Sequence, residues 1–289
     1  MTDSFNNISI IIPTLNAEKY IEKQLESLQS QSIELSEIIV IDSDSTDKTR
    51  EIAQNYPNVS VLKIDRKDFN HGGTRDWALR KSKGDFVFFL TQDALPKSDH
   101  YVENMLKPFR NTKVAMVTGR QYPRDDARPS ERLVRLKRYT PNSRVTTFAD
   151  IERLGMDAFF ASDTCSAYRR SAYLAVGGFE RDVLTNEDMF IAAKFLKEGY
   201  AVAYEGDAEV FHSHNFTYMQ QYRRNYVVGM EIERHKELLM NTSETGQGFS
   251  LVKYVVGNLL KEGHPIEAVR FIGECGFRFM GNRLGRRNG

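Results

Sequence analysis

Short runs of β-branched and aromatic residues, cut off by polar residues and separated by helical patterns, limit what this chain can fold into. Ser9-Ile10-Ile11-Ile12 stops at Pro13, and Glu37-Ile38-Ile39-Val40-Ile41 runs into Asp42. Val59–Ile64 follows, and Phe86-Val87-Phe88-Phe89-Leu90 ends in Thr91-Gln92-Asp93 before Pro96. The most apolar of these predict strands buried on both faces. Between them, Asn16 stands as the N-cap of a helix with Ile21, Leu25 and Leu28 on one face. The stretch Asp42–Asp47 offers several caps for a helix carrying Ile52, Ala53 and Tyr56. Phe69–Arg75 is a loop feeding a third helix, which Gly84 closes. Alternation of this kind predicts right-handed βαβ units, hence an α/β fold with a mostly parallel sheet flanked by helices.

In such sheets ligands bind beyond the carboxyl ends of the strands. Thr14, Asp42, the Gly72-Gly73 loop with Arg75, and Asp93 all fall on that edge. Asp93 either caps the next turn or holds a metal ion. Asp42 has the same two alternatives, cap or ligand contact. Paired glycines admit a ligand close to the backbone, and Arg75 near a helix start suits a phosphate. Neither a Walker loop nor a GxGxxG follows the first strand, which removes the main support for NTPase and dinucleotide readings.

Further on, Val114–Gly119 is another strand, and 122–150 is charged and irregular with a short helix at Ser130–Arg138. Ser162–Arg170 precedes a short helix ending at Gly177-Gly178-Phe179. Thr185-Asn186-Glu187-Asp188 opens a helix with Phe190, Ile191, Phe195 and Leu196 on its buried side and Gly199 as its stop. Its two acids either answer the helix macrodipole or do chemistry. His212 and His214 occupy alternate positions of a predicted strand and so share a face. From Phe216 the chain is helical, broken at 241–248. Its last helix mixes Arg270, Arg278, Arg283, Arg286 and Arg287 with Phe271, Ile272, Phe277, Phe279 and Met280. A basic amphipathic helix lies on an anionic membrane, packs on a neighbouring helix, or forms a dimer contact.

A chain of 289 residues can hold one large α/β domain, or a domain plus a helical appendage. The net charge of +1 argues against a nucleic-acid partner. Cys165 and Cys275 lack a CxxC partner, so neither a zinc site nor a disulfide framework is expected. Met1–Asn7 has no basic n-region or apolar h-region, and no apolar run approaches bilayer length, which predicts a cytoplasmic protein.

Taken together, Ile10–Asn16, Val40–Asp47 and Leu90–Asp93 resemble the nucleotide-binding half of family 2 glycosyltransferases with the GT-A fold. Phe69–Arg75, Thr91–Ala94 and Val210–Asn215 resemble the bacterial rhamnosyltransferase branch. The resemblance implies a GT-A domain over 1–215, with a nucleotide-sugar half to about 120 and an acceptor half from 121 to 215, then a helical extension over 216–289. It implies that Thr14, Asp42, Gly73, Arg75 and Gln92 bind the nucleotide sugar, with Arg75 by the ribose or diphosphate. Asp93 would bind a divalent ion, Mg²⁺ or Mn²⁺, with His212 or His214, because Thr91 stands where the family's Asp-x-Asp has its first acid. Asp188 would be the general base, with Glu187 as its orienting neighbour. The implied activity is inverting, metal-dependent transfer of L-rhamnose from dTDP-L-rhamnose to a cell-surface polysaccharide or lipid-linked glycan, peripherally at the inner face of the cell membrane. A UDP-linked donor, or a catalytically silent nucleotide-sugar-binding scaffold, are the alternatives.

Overall fold

The computed structural model describes Phe5, residues 7–242 and residues 247–289. The strands are β1 (Ile8–Thr14), β2 (Glu37–Asp42), β3 (Val59–Lys63), β4 (Phe86–Leu90), β5 (Leu95–Pro96), β6 (Val114–Tyr122), β7 (Arg144–Thr146), β8 (Cys165–Arg169) and β9 (Ala201–Phe211). The helices are α1 (Glu18–Gln29), α2 (Thr49–Gln54), α3 (His71–Lys81), α4 (Tyr101–Leu106), α5 (Pro129–Arg138), α6 (Ile151–Leu154), α7 (Arg170–Ala175), α8 (Glu187–Lys197), α9 (Tyr218–Arg234), α10 (Gln247–Lys261) and α11 (Pro265–Arg287).

The sheet runs β3-β2-β1-β4-β8-β6-β9-β5, with β7 also paired to β9. The first four strands are mutually parallel, as the alternation predicts. β8 then reverses direction between β4 and β6, making the sheet mixed. That strand is one the sequence reading passes over. Cys165-Ser166-Ala167-Tyr168-Arg169 has only one large apolar side chain, and its burial comes from neighbours on both sides. One core packs β1, β2 and β4 against α1 and α4, and another fills the opposite face with Phe89, Tyr168, Phe190 and Phe195. A small third core, with Leu133, Val255, Leu259, Ala268 and Phe271, joins α5 to α10 and α11.

Several local expectations change. Asn16 is not the N-cap of α1. That position belongs to Ala17, while Asn16 adopts φ +50° and its carboxamide oxygen accepts from the Thr46 amide at 2.9 Å. Gly72 and Gly73 lie inside the first turn of α3, and the cap is Asn70, which accepts from the Gly73 amide at 2.8 Å. Gly84 does not end that helix through a positive φ. It lets the chain pass against Ser9, whose hydroxyl a Cβ there would meet at 2.5 Å. Gly199 is the left-handed stop of α8, at φ +79°.

The predicted break at 241–248 falls partly outside the described residues. On either side, α9 and α11 pack tightly because glycines face backbone. A Cβ at Gly281 or Gly285 would overlap the carbonyl of Tyr222 or Tyr226, and one at Gly229 that of Asn282. Arg270 does not face outward as a free basic residue. It pairs with Glu267 at 2.6 Å and Glu274 at 3.1 Å, and donates to Ser130 of α5 at 2.8 Å. No described helix is long and apolar enough to cross a membrane.

Candidate active site

The carboxyl ends of β1, β2 and β4 lie on one edge, and the register sets Thr14 beside Asp42. Both are buried. The Thr14 hydroxyl donates to the Ile41 carbonyl at 3.2 Å. Asp42 is fully buried, with Oδ1 accepting from the Ser45 amide at 3.0 Å and lying 3.6 Å from Arg50. Its Oδ2 has no hydrogen-bond partner. The hydroxyls of Ser43 and Thr91, at the ends of β2 and β4, are likewise buried without partners. Orphaned polar atoms concentrated at one sheet edge are what a polar ligand there would satisfy. Gln92 is committed to backbone. Its Oε1 accepts from the Leu15 amide at 2.8 Å and its Nε2 donates to the Leu15 carbonyl at 3.2 Å, strapping the β1 and β4 loops together.

Two antiparallel ends create the next group. β5 pairs with β9 so that Leu95 faces Phe211. Asp93, two residues before Leu95, therefore meets His212, one residue after Phe211. The histidines lie beyond β9 rather than on it, and both still reach the carboxylate. His212 Nε2 is 3.6 Å from Asp93 Oδ1 and His214 Nε2 is 3.5 Å from Oδ2. One ligand atom from each of the three residues lies within 4.8 Å of the others. Burial and nearby arginines lower the pKa of His212, and burial lowers that of His214, so both are held toward the neutral imidazole that ligates metals. Behind them, Gln121 Oε1 faces His212 Nδ1 at 2.9 Å and also accepts from Arg135. An acceptor at Nδ1 fixes the tautomer that leaves Nε2 free. The donor set fits a divalent ion. Two imidazoles with one carboxylate suit Mn²⁺ better than Mg²⁺, which prefers oxygen.

The acids of α8 face a residue that sequence reasoning missed. β8 is antiparallel, so its start lies beside the end of β4, and the Thr91 amide donates to the Thr164 carbonyl at 3.1 Å. That brings Asp163 into the cleft. Its Oδ1 accepts from Ser166 and Tyr168 at 2.6 Å each, and its amide donates to Asp188 Oδ2 at 3.1 Å. No motif flags Asp163. A polar Ser-Asp-Thr ahead of a buried strand was the available signal.

Arg75 does not sit open toward a diphosphate. Its side chain is 5% exposed and enclosed by acids, with Nη1 3.1 Å from Glu187 and Nε 3.7 Å from Asp163 Oδ2. Burial raises Asp163 to about 6, and it raises Asp188 to about 8, with the Glu187 and Asp163 charges adding to the latter. Asp188 is thus a half-buried carboxyl with a raised pKa, held by the Asp163 and Met189 amides. Glu187 orients Arg75 rather than touching Asp188 by hydrogen bond. His71, at the start of α3, is held down at about 4 by burial and by Arg75 and Arg224. Cys165 is buried and its thiol is pushed up to about 12, which keeps it inert.

The mixed sheet with helices on both faces is the GT-A fold. The fold is shared with a mannosyltransferase, PcManGT from Pyrobaculum calidifontis, solved in complex with GDP-Man and Mn²⁺ (TM-score 0.66, 18% identity, 96% of this chain and 86% of that one). It is also shared with residues 1–349 of TarS from S. aureus in complex with UDP-GlcNAc (TM-score 0.58, 15% identity, 97% of this chain and 92% of that one). Residues 9–177 match the profile of glycosyl transferase family 2, and the chain belongs to that family. It is 38% identical to the O-antigen chain rhamnosyltransferase RfbN of Salmonella typhimurium over 96% of this chain and 89% of the relative. It is 37% identical to the O-antigen chain rhamnosyltransferase WbaN of Salmonella anatum over 97% and 89%.

Proposed function

We propose that this glycosyltransferase moves L-rhamnose from dTDP-L-rhamnose, with inversion, onto a cell-surface polysaccharide or lipid-linked glycan. Near-full-length similarity to two O-antigen rhamnosyltransferases carries the choice of sugar. In the mechanism, Asp188 takes the proton of an acceptor hydroxyl as that oxygen bonds to the anomeric carbon. The bond from that carbon to the diphosphate breaks, and its electron pair leaves with the nucleotide. A base with a pKa near 8 is matched to this proton transfer. Asp163, through its backbone amide, orients Asp188, while Arg75 keeps the neighbouring acids in place. Asp93, His212 and His214 would hold Mn²⁺, which supplies Lewis-acid neutralisation of diphosphate charge when bound. The unpartnered Asp42 Oδ2 would accept from the base and Thr14 would line the nucleoside side, with Gly73 near the donor at the start of α3.

The same proposal seats the protein on the inner face of the membrane through α11. Ile266 and Val269 are 87% and 71% exposed, and Arg283 and Arg287 are exposed on the same face. Sedimentation with anionic vesicles tests this, and a concentration-dependent dimer without vesicle binding would reassign the face.

The donor is tested by thermal shift against a panel of nucleotide sugars with Mn²⁺, followed by mass spectrometry of transfer to a glycan acceptor. Stabilisation by dTDP-L-rhamnose above all others is expected. Preference for a uridine or guanosine sugar would overturn the rhamnose assignment.

A further inference from the structure

With Arg75 enclosed by Glu187 and Asp163, the proposed chemistry leaves the diphosphate without a guanidinium. We propose that Arg224 of α9 is the cation that binds the donor's diphosphate, so that the C-terminal helices complete the catalytic cleft. This rests on the glycosyl transfer proposed above. The geometry starts from the metal-ligand cluster. The Phe216 ring lies 4.9 Å from His214, tilted by 33°, and the Arg224 guanidinium lies over Phe216 at 5.6 Å. Imidazole, phenyl ring and guanidinium thus form a continuous stack leading outward from Asp93, His212 and His214.

The charge around Arg224 is unbalanced. Among the described residues no carboxylate lies within ion-pair distance of it and no hydrogen bond holds it. Arg135 of α5 and Arg278 of α11 repel it, and Asp188 is the acid acting on it. Arg224 in turn acts on His71, His212 and His214, which places it within electrostatic reach of both the metal ligands and the base. Arg135 already has Glu131 at 2.7 Å and Gln121 as partners. Arg224 has neither kind of partner. A solvated surface arginine normally turns away from like charges. This one is exposed to water, yet its guanidinium stays over the Phe216 ring beside the histidine cluster. An anion lodged there relieves the repulsion among guanidiniums drawn from three helices, and a diphosphate offers the paired oxygens that a guanidinium fork matches.

The position of Arg224 is not left to a mobile tail. Thr217 and Gln220 form a capping box that starts α9 directly after His214-Asn215-Phe216. The glycine-mediated packing of α9 on α11 then leaves the helix little room to shift. The match to the family 2 profile, over 9–177, ends before Arg224, which lies in the C-terminal helices.

The test measures Mn²⁺-dependent binding of inorganic pyrophosphate, dTDP and thymidine by titration calorimetry, together with steady-state transfer. Arg224→Gln should weaken pyrophosphate and dTDP by about tenfold or more, the usual worth of a charge-assisted hydrogen bond, and leave thymidine unchanged. Arg224→Lys should recover part of the loss. Arg223→Gln, one residue away and exposed, should behave as wild type, and the unfolding midpoint of ligand-free Arg224→Gln should not move. Arg224→Gln binding dTDP within about twofold of wild type, in a protein that otherwise transfers sugar, would overturn the assignment alone. A rise confined to the acceptor's KM would overturn the donor assignment in favour of an acceptor phosphate. Wild-type protein that binds no nucleoside diphosphate would overturn the transfer reaction itself.

Discussion

Replacing Arg75 by methionine removes a guanidinium that lies against both Glu187 and Asp163 while keeping most of its volume. The side chains of Arg75, Glu187 and Asp163 are 5%, 7% and 4% exposed, so solvent screens little of the loss. Breaking a buried pair by deleting one partner costs about 3–5 kcal/mol, because the surviving charge stays buried. At roughly 2–3 °C per kcal/mol for a chain of this size, the unfolding midpoint should fall by about 6–15 °C near neutral pH. The pH dependence has a definite sign. Asp163 and Asp188 already have folded-state values raised to about 6 and about 8. The folded state therefore binds protons that the unfolded state has released, and stability falls as pH rises from about 4 through about 8. Arg75 holds the Asp163 value down, so without it that value rises further and protonation relieves the defect. Thermal unfolding by circular dichroism should show a large deficit for Arg75→Met near pH 8 and a smaller one near pH 5. A deficit below about 1 kcal/mol near pH 8, or one that grows on acidification, would refute the assignment of Arg75 to these acids.

Three other perturbations follow from named contacts. Asp188→Asn should lower kcat by about 10²–10⁴-fold with donor affinity retained, and wild-type kcat/KM should climb with pH toward about 8 as the base loses its proton; equal loss of donor binding would argue for a structural role. Gln121→Leu removes the acceptor at His212 Nδ1 and should weaken Mn²⁺ by about 10–100-fold, read by electron paramagnetic resonance on protein of unchanged fold. Gly285→Ala forces a methyl onto the Tyr226 carbonyl and should destabilise the protein by about 1–3 kcal/mol, measured by urea unfolding, whereas the same change at Gly276, which faces open space, should cost nothing comparable.

The parallel half of the fold was legible because β1, β2 and β4 are nearly all apolar and buried on both faces and α1 shows its stripe locally. Asp93 with His212 and His214 was legible as a set of residue types, but the reason they meet is the pairing of Leu95 with Phe211, a contact between distant segments. Asp163 and Arg224 were not legible. The first depends on β8 running against its neighbours, and the second on where a helix lands after the sheet is complete. The surroundings of Arg75 were not legible for a related reason. A cation near a helix start suggests phosphate, and only tertiary packing reveals that Glu187 and Asp163 arrive first. Asn16 and Gly84 illustrate the local version, in which residue type predicted a cap and the backbone used the residue for a left-handed turn or a close crossing.

The reversal of β8 has a consequence for how such a protein can change. Because that strand starts where β4 ends, the long excursion between β6 and β8, holding α5, β7 and α6, leaves and returns at the same sheet edge as Asp42 and Asp93. Thr14, Asp42 and Thr91 sit on strands that close among themselves before this excursion begins. Residues can be gained or lost around 141–150, much of it exposed, without breaking the β1–β2–β4 register that sets Thr14 beside Asp42. The sheet thereby separates a parallel half built from short local crossovers from a half reached by a long exposed excursion, and a single antiparallel strand is the seam between them.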